Sequence, residues 1–332
     1  MKSICFTVYL CCALTLLNCK TKETIKSEAQ PKLKALIIDG ENNHAIWPKS
    51  TFMIKDYLEE TGLFDVDIAR KNYTWKGEEY LDKFPLSSSI STTSVSQPKF
   101  DPDFNPDFKK YDVVISNLGW KASQLPEKTE ASFEEYMANG GGLVVIHAAD
   151  NSWPEWRAFN KMIGLGGWGG RNELSGPYVF YNNDNKIIRD PSKGNCGQHG
   201  KQTEFIVTTR APEHSIMKGL PKEWLHAKDE LYEKLRGPAE NMTILATAYS
   251  DKKNGAKRTD RHEPMLMTIN YEKGRIFHTT LGHIDYSMEC VGFITTFQRG
   301  AEWAATGKVT QKIPEDFPNT EEIKTRTWRF KK

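Results

Sequence analysis

Once its first nineteen residues are set aside, the sequence keeps only two of its six cysteines, Cys196 and Cys290. A single bridge between them stays open, but no disulfide scaffold can hold this chain together. An excess of charge of one sign is also missing, with 45 Lys and Arg against 43 Asp and Glu. Nucleic-acid binders concentrate a basic surplus, so that class is excluded. After Leu17 there is no apolar run long enough to cross a bilayer as a helix. Four signatures of nucleotide and hydrolase chemistry are absent as well: a Walker loop, a G-x-G-x-x-G after the first strand, H-E-x-x-H and G-x-S-x-G.

What is present begins with Met1-Lys2 and the apolar stretch Ile4 to Leu17, which has the length of a signal h-region and is too short to span a membrane. It runs into Leu16-Leu17-Asn18-Cys19, which resembles a lipobox, where the cysteine is lipidated and becomes the first mature residue. The expectation is an exported bacterial lipoprotein, periplasmic or on the cell surface, that meets the membrane only through a lipid on Cys19. A Cys19→Ala variant would then leave the membrane fraction or stall as precursor. Residues 20–32 are polar and free of aromatics, as suits a flexible tether.

Residues 33–308 read as one α/β domain with a doubly wound, mostly parallel sheet. Lys34-Ala-Leu-Ile-Ile-Asp39 is a short apolar run that suits a buried parallel strand. Thr51 to Glu60 is amphipathic at helical spacing and stops at Gly62, and Phe64 to Ile68 follows as a strand. Tyr111 to Ser116 and Leu143 to Ile146 continue the strands, with a helix over Pro126 to Asn139 between them. Residues 85–108 are rich in Ser, Thr, Pro and Asp and read as a surface insertion. The second half is richer in strands: Glu204 to Thr209, Thr243 to Tyr249, Met265 to Tyr271 and Arg275 to Thr280, the last two joined by a hairpin turn. A helix over Val291 to Thr306 closes the domain, and 309–332 read as a polar tail.

In open α/β sheets, ligands bind outside the carboxyl ends of the strands. Polar residues fall at those ends here: His44, Asn117 with Trp120, His147, and in the second half His214, Asp229-Glu230 with Tyr232, and His283. Gly-Gly-Gly-Leu-Val-Val-Ile-His147-Ala-Ala, His214 with Gly219-Leu220-Pro221, Asp229-Glu230-Leu-Tyr232, Gly274-Arg-Ile-Phe-His-Thr-Thr-Leu-Gly282-His283 and Trp303-Ala follow in order. Together they resemble the ThuA-like, or trehalose-utilisation, family across roughly residues 33–308. Ser215 stands where the family usually has proline after its second histidine. The resemblance implies a flavodoxin-like fold related to class I glutamine amidotransferases, and a link to disaccharide or 3-keto-sugar metabolism.

In amidotransferases of that architecture, the residue after the central strand is a cysteine nucleophile. Here it is His147, followed by Ala148 and Ala149, so glutamine hydrolysis through a thiol is not supported. Histidine remains as acid/base or as metal ligand. His44, His147, Glu230 and His283 could converge at one sheet edge and hold Zn²⁺ or a similar divalent ion. Any one of these histidines also reads as a hydrogen-bonded structural residue, and Asp229-Glu230 as a solvated pair. His199, His226, His262 and His278 are taken as structural. Gly164-Leu-Gly-Gly-Trp168-Gly-Gly-Arg171 reads as a mobile loop whose Trp168 and Arg171 could close over a sugar.

Two functions stay open. The first is an enzyme of sugar catabolism, a hydrolase, lyase or isomerase, with His147, Glu230 and His283 doing the chemistry. His44, Asn117, Trp120, Trp168, Arg171, Asp229 and Tyr232 would then bind a small sugar. The second is a carbohydrate-binding lipoprotein without turnover, and the nine tryptophans suit either. Oligomeric state is left open.

Overall fold

A computed structural model describes residues 31–87 and 90–330, together with Met1. The lipobox and Cys19 lie outside the described residues. From Lys32 onward the chain forms one compact unit. In chain order its first half comprises β1 (Leu33–Glu41), α1 (Trp47–Glu59), β2 (Phe64–Trp75), α2 (Glu78–Leu81), β3 (Thr93–Val95), β4 (Val113–Ser116), α3 (Glu127–Ala138), β5 (Gly142–Ile146) and α4 (Arg157–Ile163). The second half comprises β6 (Tyr178–Tyr181), β7 (Ile187–Asp190), β8 (Gln198–His199), β9 (Thr203–Thr209), β10 (Glu223–Asp229) and β11 (Tyr232–Glu233). It ends with β12 (Met242–Tyr249), β13 (His262–Tyr271), β14 (Gly274–Thr279), α5 (Asp285–Met288) and α6 (Val291–Thr306).

The centre of the sheet is parallel, in the order β2-β1-β4-β5-β14. Counted along the chain, that is the flavodoxin-like 2-1-3-4-5 arrangement. Its strands are nearly continuous apolar runs because helices cover both faces. On one face Met53, Ile54 and Leu58 of α1 pack with Phe293 and Phe297 of α6. On the other, Phe133 and Met137 of α3 pack with Phe159 and Met162 of α4. An antiparallel arm, β13-β12-β9-β10, extends the sheet beyond β14. Four reversals restore the original direction, so β10 runs parallel to β14 and its carboxyl end falls on the same edge.

Three sequence expectations change. First, α1 starts at Trp47 rather than Thr51, with Pro48 in its first turn, where proline's missing N–H is no loss. Second, the segment 85–108 is not only a surface insertion. Its β3 pairs with the end of β2, and Phe104 and Phe108 are buried, the latter edge-on against Phe133. Third, the tail is pinned to the domain. Val309, Ile313, Phe317, Ile323 and Trp328 pack on the core, the Leu225 N–H donates to the Asn319 carbonyl, and the Val291 N–H donates to that of Lys324. Cys196 and Cys290 are both buried and free, so the bridge left open by the sequence does not form.

Candidate functional site

The carboxyl ends of β1, β4, β5, β14 and β10 all deliver polar residues to one edge. His44 follows β1, Asn117 follows β4, His147 follows β5, His283 follows β14 and Glu230 follows β10. His147 is the sharpest feature. Its φ is 45°, in the left-handed region, and a short 3₁₀ turn begins there directly from the strand. A non-glycine residue held so costs on the order of 1–3 kcal/mol, which marks positions where function overrules local preference.

The ring of His147 is fixed from two sides. Its Nδ1 lies 2.7 Å from the Thr280 carbonyl, and the ring tilts against Tyr232 at a centroid distance of 4.2 Å. A carbonyl can only accept, so Nδ1 carries the proton and Nε2 presents its lone pair. That Nε2 is buried with no hydrogen-bond partner. His44 Nε2 is likewise buried and unpartnered. The three rings of His44, His147 and His283 stand 4.5 to 5.2 Å apart, all edge to face. Glu230 reaches among them, with Oε2 at 3.7 Å from His147 Nε2 and Oε1 at 3.4 Å from His283 Nε2. The ligating atoms of His44, His147, Glu230 and His283 all lie within 4.8 Å of one another. Small side-chain movements would let a single ion reach them with bonds of about 2.0–2.1 Å.

Electrostatics keep two of the imidazoles neutral and Glu230 ionised, and pull the other way on His147. Burial, then the neighbouring imidazoles of His147 and His283, push His44 down to about 2, so it stays neutral. Burial and His147 also lower His283. Burial opposes charge on His147, but Glu230 and Asp229 outweigh it and raise it. Glu230 is opposed by burial in turn, yet His147, His283 and His199 hold it below the usual carboxylate range.

His283 Nδ1 faces the side-chain amide nitrogen of Gln202 at 2.9 Å, and Tyr286 Oη donates to the Gln202 amide oxygen. Gln202, held by Tyr286, thus contacts the ring nitrogen other than the one that faces Glu230. Two unpartnered buried imidazole nitrogens, a third imidazole nitrogen that faces Glu230, and that carboxylate together fit a divalent transition metal.

Beside this group lies a cleft of about 240 Å³, lined by Asn43, His44, Trp120, Asn151, Trp168, His199, Glu230 and Tyr232. Its size suits one small ring. Trp168 meets Tyr232 at 4.8 Å, edge to face. Trp120, Trp168 and Tyr232 therefore line one cleft with His44 and His199. His199, expected to be structural, is in the cleft wall with Nδ1 at 3.5 Å from Glu230 Oε1. It sits in a two-residue strand paired with β11, where no flanking apolar run signals a strand end.

Four expected residues do other work. Asn117 turns inward and donates to the Trp47 carbonyl, Ser50 Oγ and Thr51 Oγ1, tying β4 to α1. Arg171 is 4% exposed and donates to the carbonyls of Ser152 and Gly167 and to Asn160 Oδ1. With those bonds and the Gly166–Arg236 bridge, the glycine-rich loop is fastened rather than mobile. Asp229 is fully buried and binds protein groups only. His214 lies against Trp303 on α6, away from the cluster. Of the other histidines, His226 pairs with Asp229, and His278 directs Nδ1 at the Ile163 carbonyl.

Comparison with known proteins gives three findings. The model of the ThuA family, described as trehalose utilisation, matches residues 34–304. The solved structure of a ThuA-like protein from Parabacteroides merdae is 42% identical, with a TM-score of 0.78, covering 89% of this chain and 98% of that one. A ThuA-like protein from Bacteroides uniformis, 21% identical with a TM-score of 0.50 over 85% of this chain and 95% of that one, shares the fold. A comparison with curated proteins finds no match.

Proposed function

The chain belongs to the ThuA, or trehalose-utilisation, family, and we propose that it is an enzyme acting on a sugar or glycoside at a divalent metal centre formed by His44, His147, Glu230 and His283. The observation that supports this most is the pair of buried, unpartnered Nε2 atoms of His44 and His147 in a group whose ligating atoms lie within 4.8 Å. An unpaired buried polar atom costs about 1–3 kcal/mol, so two of them side by side argue for a missing partner.

When bound, the metal would act as a Lewis acid toward a sugar carbonyl or hydroxyl. The protein supplies the rest. Trp120 and Trp168 offer apolar faces to a sugar ring, which carries C–H groups on its own faces. Asn43 and Asn151 line the same cleft and offer amides to its hydroxyls. His199 and Glu230 touch at 3.5 Å beside the centre, where an imidazole can take up or release a proton next to a carboxylate. A ketone at a ring carbon would make the neighbouring C–H acidic, so this set suits proton abstraction from an oxidised sugar.

The test is a screen of the purified, metal-loaded protein against plain disaccharides and the same sugars oxidised to ketones. Turnover that His147→Ala abolishes without unfolding the protein is the expected result. Saturable sugar binding, with no turnover on any of them and no effect of His147→Ala, would overturn the enzyme in favour of a carbohydrate-binding protein.

A further inference from the structure

Glu230 and His283 reach the centre from parts of the fold that do not pair with each other. His283 follows β14, in the parallel middle of the sheet, while Glu230 follows β10, the outermost strand of the antiparallel arm. Three strands separate β10 from β14 in the sheet, so no ladder hydrogen bond joins the two strand ends. Something else has to set one against the other.

The fully buried carboxylate of Asp229 bridges that gap. Its Oδ1 accepts the backbone N–H of Glu230 at 2.8 Å and that of His283 at 3.1 Å. Its Oδ2 accepts the backbone N–H of Gly282 at 2.8 Å. Gly282 has a φ of +100°, and a Cβ there would lie 2.7 Å from the Phe293 ring, so the turn that presents these two N–H groups together tolerates only glycine. One side chain thus fixes the backbone on both sides of the centre.

Asp229 is itself held by His226, whose Nε2 lies 2.9 Å from Oδ2. In a regular strand, residues three apart point to opposite faces. The pairing of β10 with β9 slips between His226 and Asp229, and this bulge turns both side chains to the same side. Bulges next to sites re-aim side chains in this way. His226 is fully buried, and the Cys290 thiol lies on its other side.

We infer that Asp229 is a positioning residue for the metal centre: with His226 behind it, its carboxylate sets Glu230 and His283 at the spacing an ion requires. The inference rests on reading the four residues as a metal site. Asn at this position would keep the shape but bring an amide N–H against backbone N–H donors, so at least one of the bonds has to break. Partners that orient ligands in this way typically account for 10–100-fold in metal affinity.

The experiment is a titration of the purified apo-protein with Co²⁺, followed through its visible ligand-field band, for wild type, Asp229→Asn, His226→Gln and His226→Phe. Circular dichroism and melting curves run alongside to show that each variant is folded. Gln at 226 can still offer an N–H toward Asp229, and Phe cannot. The expected result is that Asp229→Asn and His226→Phe weaken Co²⁺ binding by about 10–100-fold and alter the band, while His226→Gln restores most of both. A folded Asp229→Asn that binds Co²⁺ as tightly as wild type with the same band would overturn the positioning role and leave the metal centre standing. Failure of wild type itself to bind Co²⁺ would overturn the metal centre and this inference together.

Discussion

At the scale of the residue, strand-end position was the informative signal. His44, His147, Glu230 and His283 each stand within four residues of the carboxyl end of a sheet strand, and apolar runs announce most of those strands in the sequence. Whether a polar side chain at a turn faces a ligand or the protein is not written locally. Asn117 and Arg171 occupy turns like those of the four clustered residues, yet both face inward and satisfy neighbouring groups. Arg171 therefore carries a prediction. Its guanidinium is the donor for the Ser152 and Gly167 carbonyls at 2.7 and 2.8 Å. Arg171→Ala leaves those acceptors buried and unmatched, and should lower stability by about 2–4 kcal/mol in urea unfolding. Where the variant is kept folded, sugar affinity should change little. Loss of affinity with wild-type stability would show that Arg171 contacts ligand after all.

At the scale of the element, the parallel strands and long helices were legible because they are apolar runs and amphipathic stretches of ordinary length. The strand β10 was not. Its sequence, Glu-Trp-Leu-His-Ala-Lys-Asp, shows no clean alternation, because the bulge before Asp229 breaks the two-residue period. The hairpin of β6 and β7 at the sheet's fringe leaves an equally weak pattern, six of its eight residues being partly or fully exposed. The closing helix shows packing overriding propensity. In α6, Gly300 lies against Phe277 of β14, and a Cβ on it would sit 2.2 Å from that ring. Glycine to alanine inside a helix normally gains about 1 kcal/mol, whereas overpacking a filled core costs about 1–3 kcal/mol. At a contact this short the second should win, so Gly300→Ala should lower the melting temperature. A rise would mean that the α6–β14 contact is looser than it stands here.

At the scale of the whole molecule, the parallel half was legible as a doubly wound sheet, and its topology explains why one edge collects the chemistry. The antiparallel arm could not be placed from sequence, since the number of reversals that carries β10 back to the parallel direction is a property of pairing between distant strands. The tail was hidden for a similar reason: its apolar residues are spaced singly among polar ones, and only the folded domain offers the surface on which they pack. Both the arm and the tail matter to the site, since the arm delivers Glu230 and the tail's Asn319 bonds back to β10. The account turns on one claim, that these elements assemble a centre for a divalent ion. Isothermal titration of the metal-stripped protein with Zn²⁺ measures it directly, for wild type and for His147→Ala. The account predicts about one tight site per chain in wild type and its loss in the folded variant; no site in wild type, or an equally tight one in the variant, would contradict it.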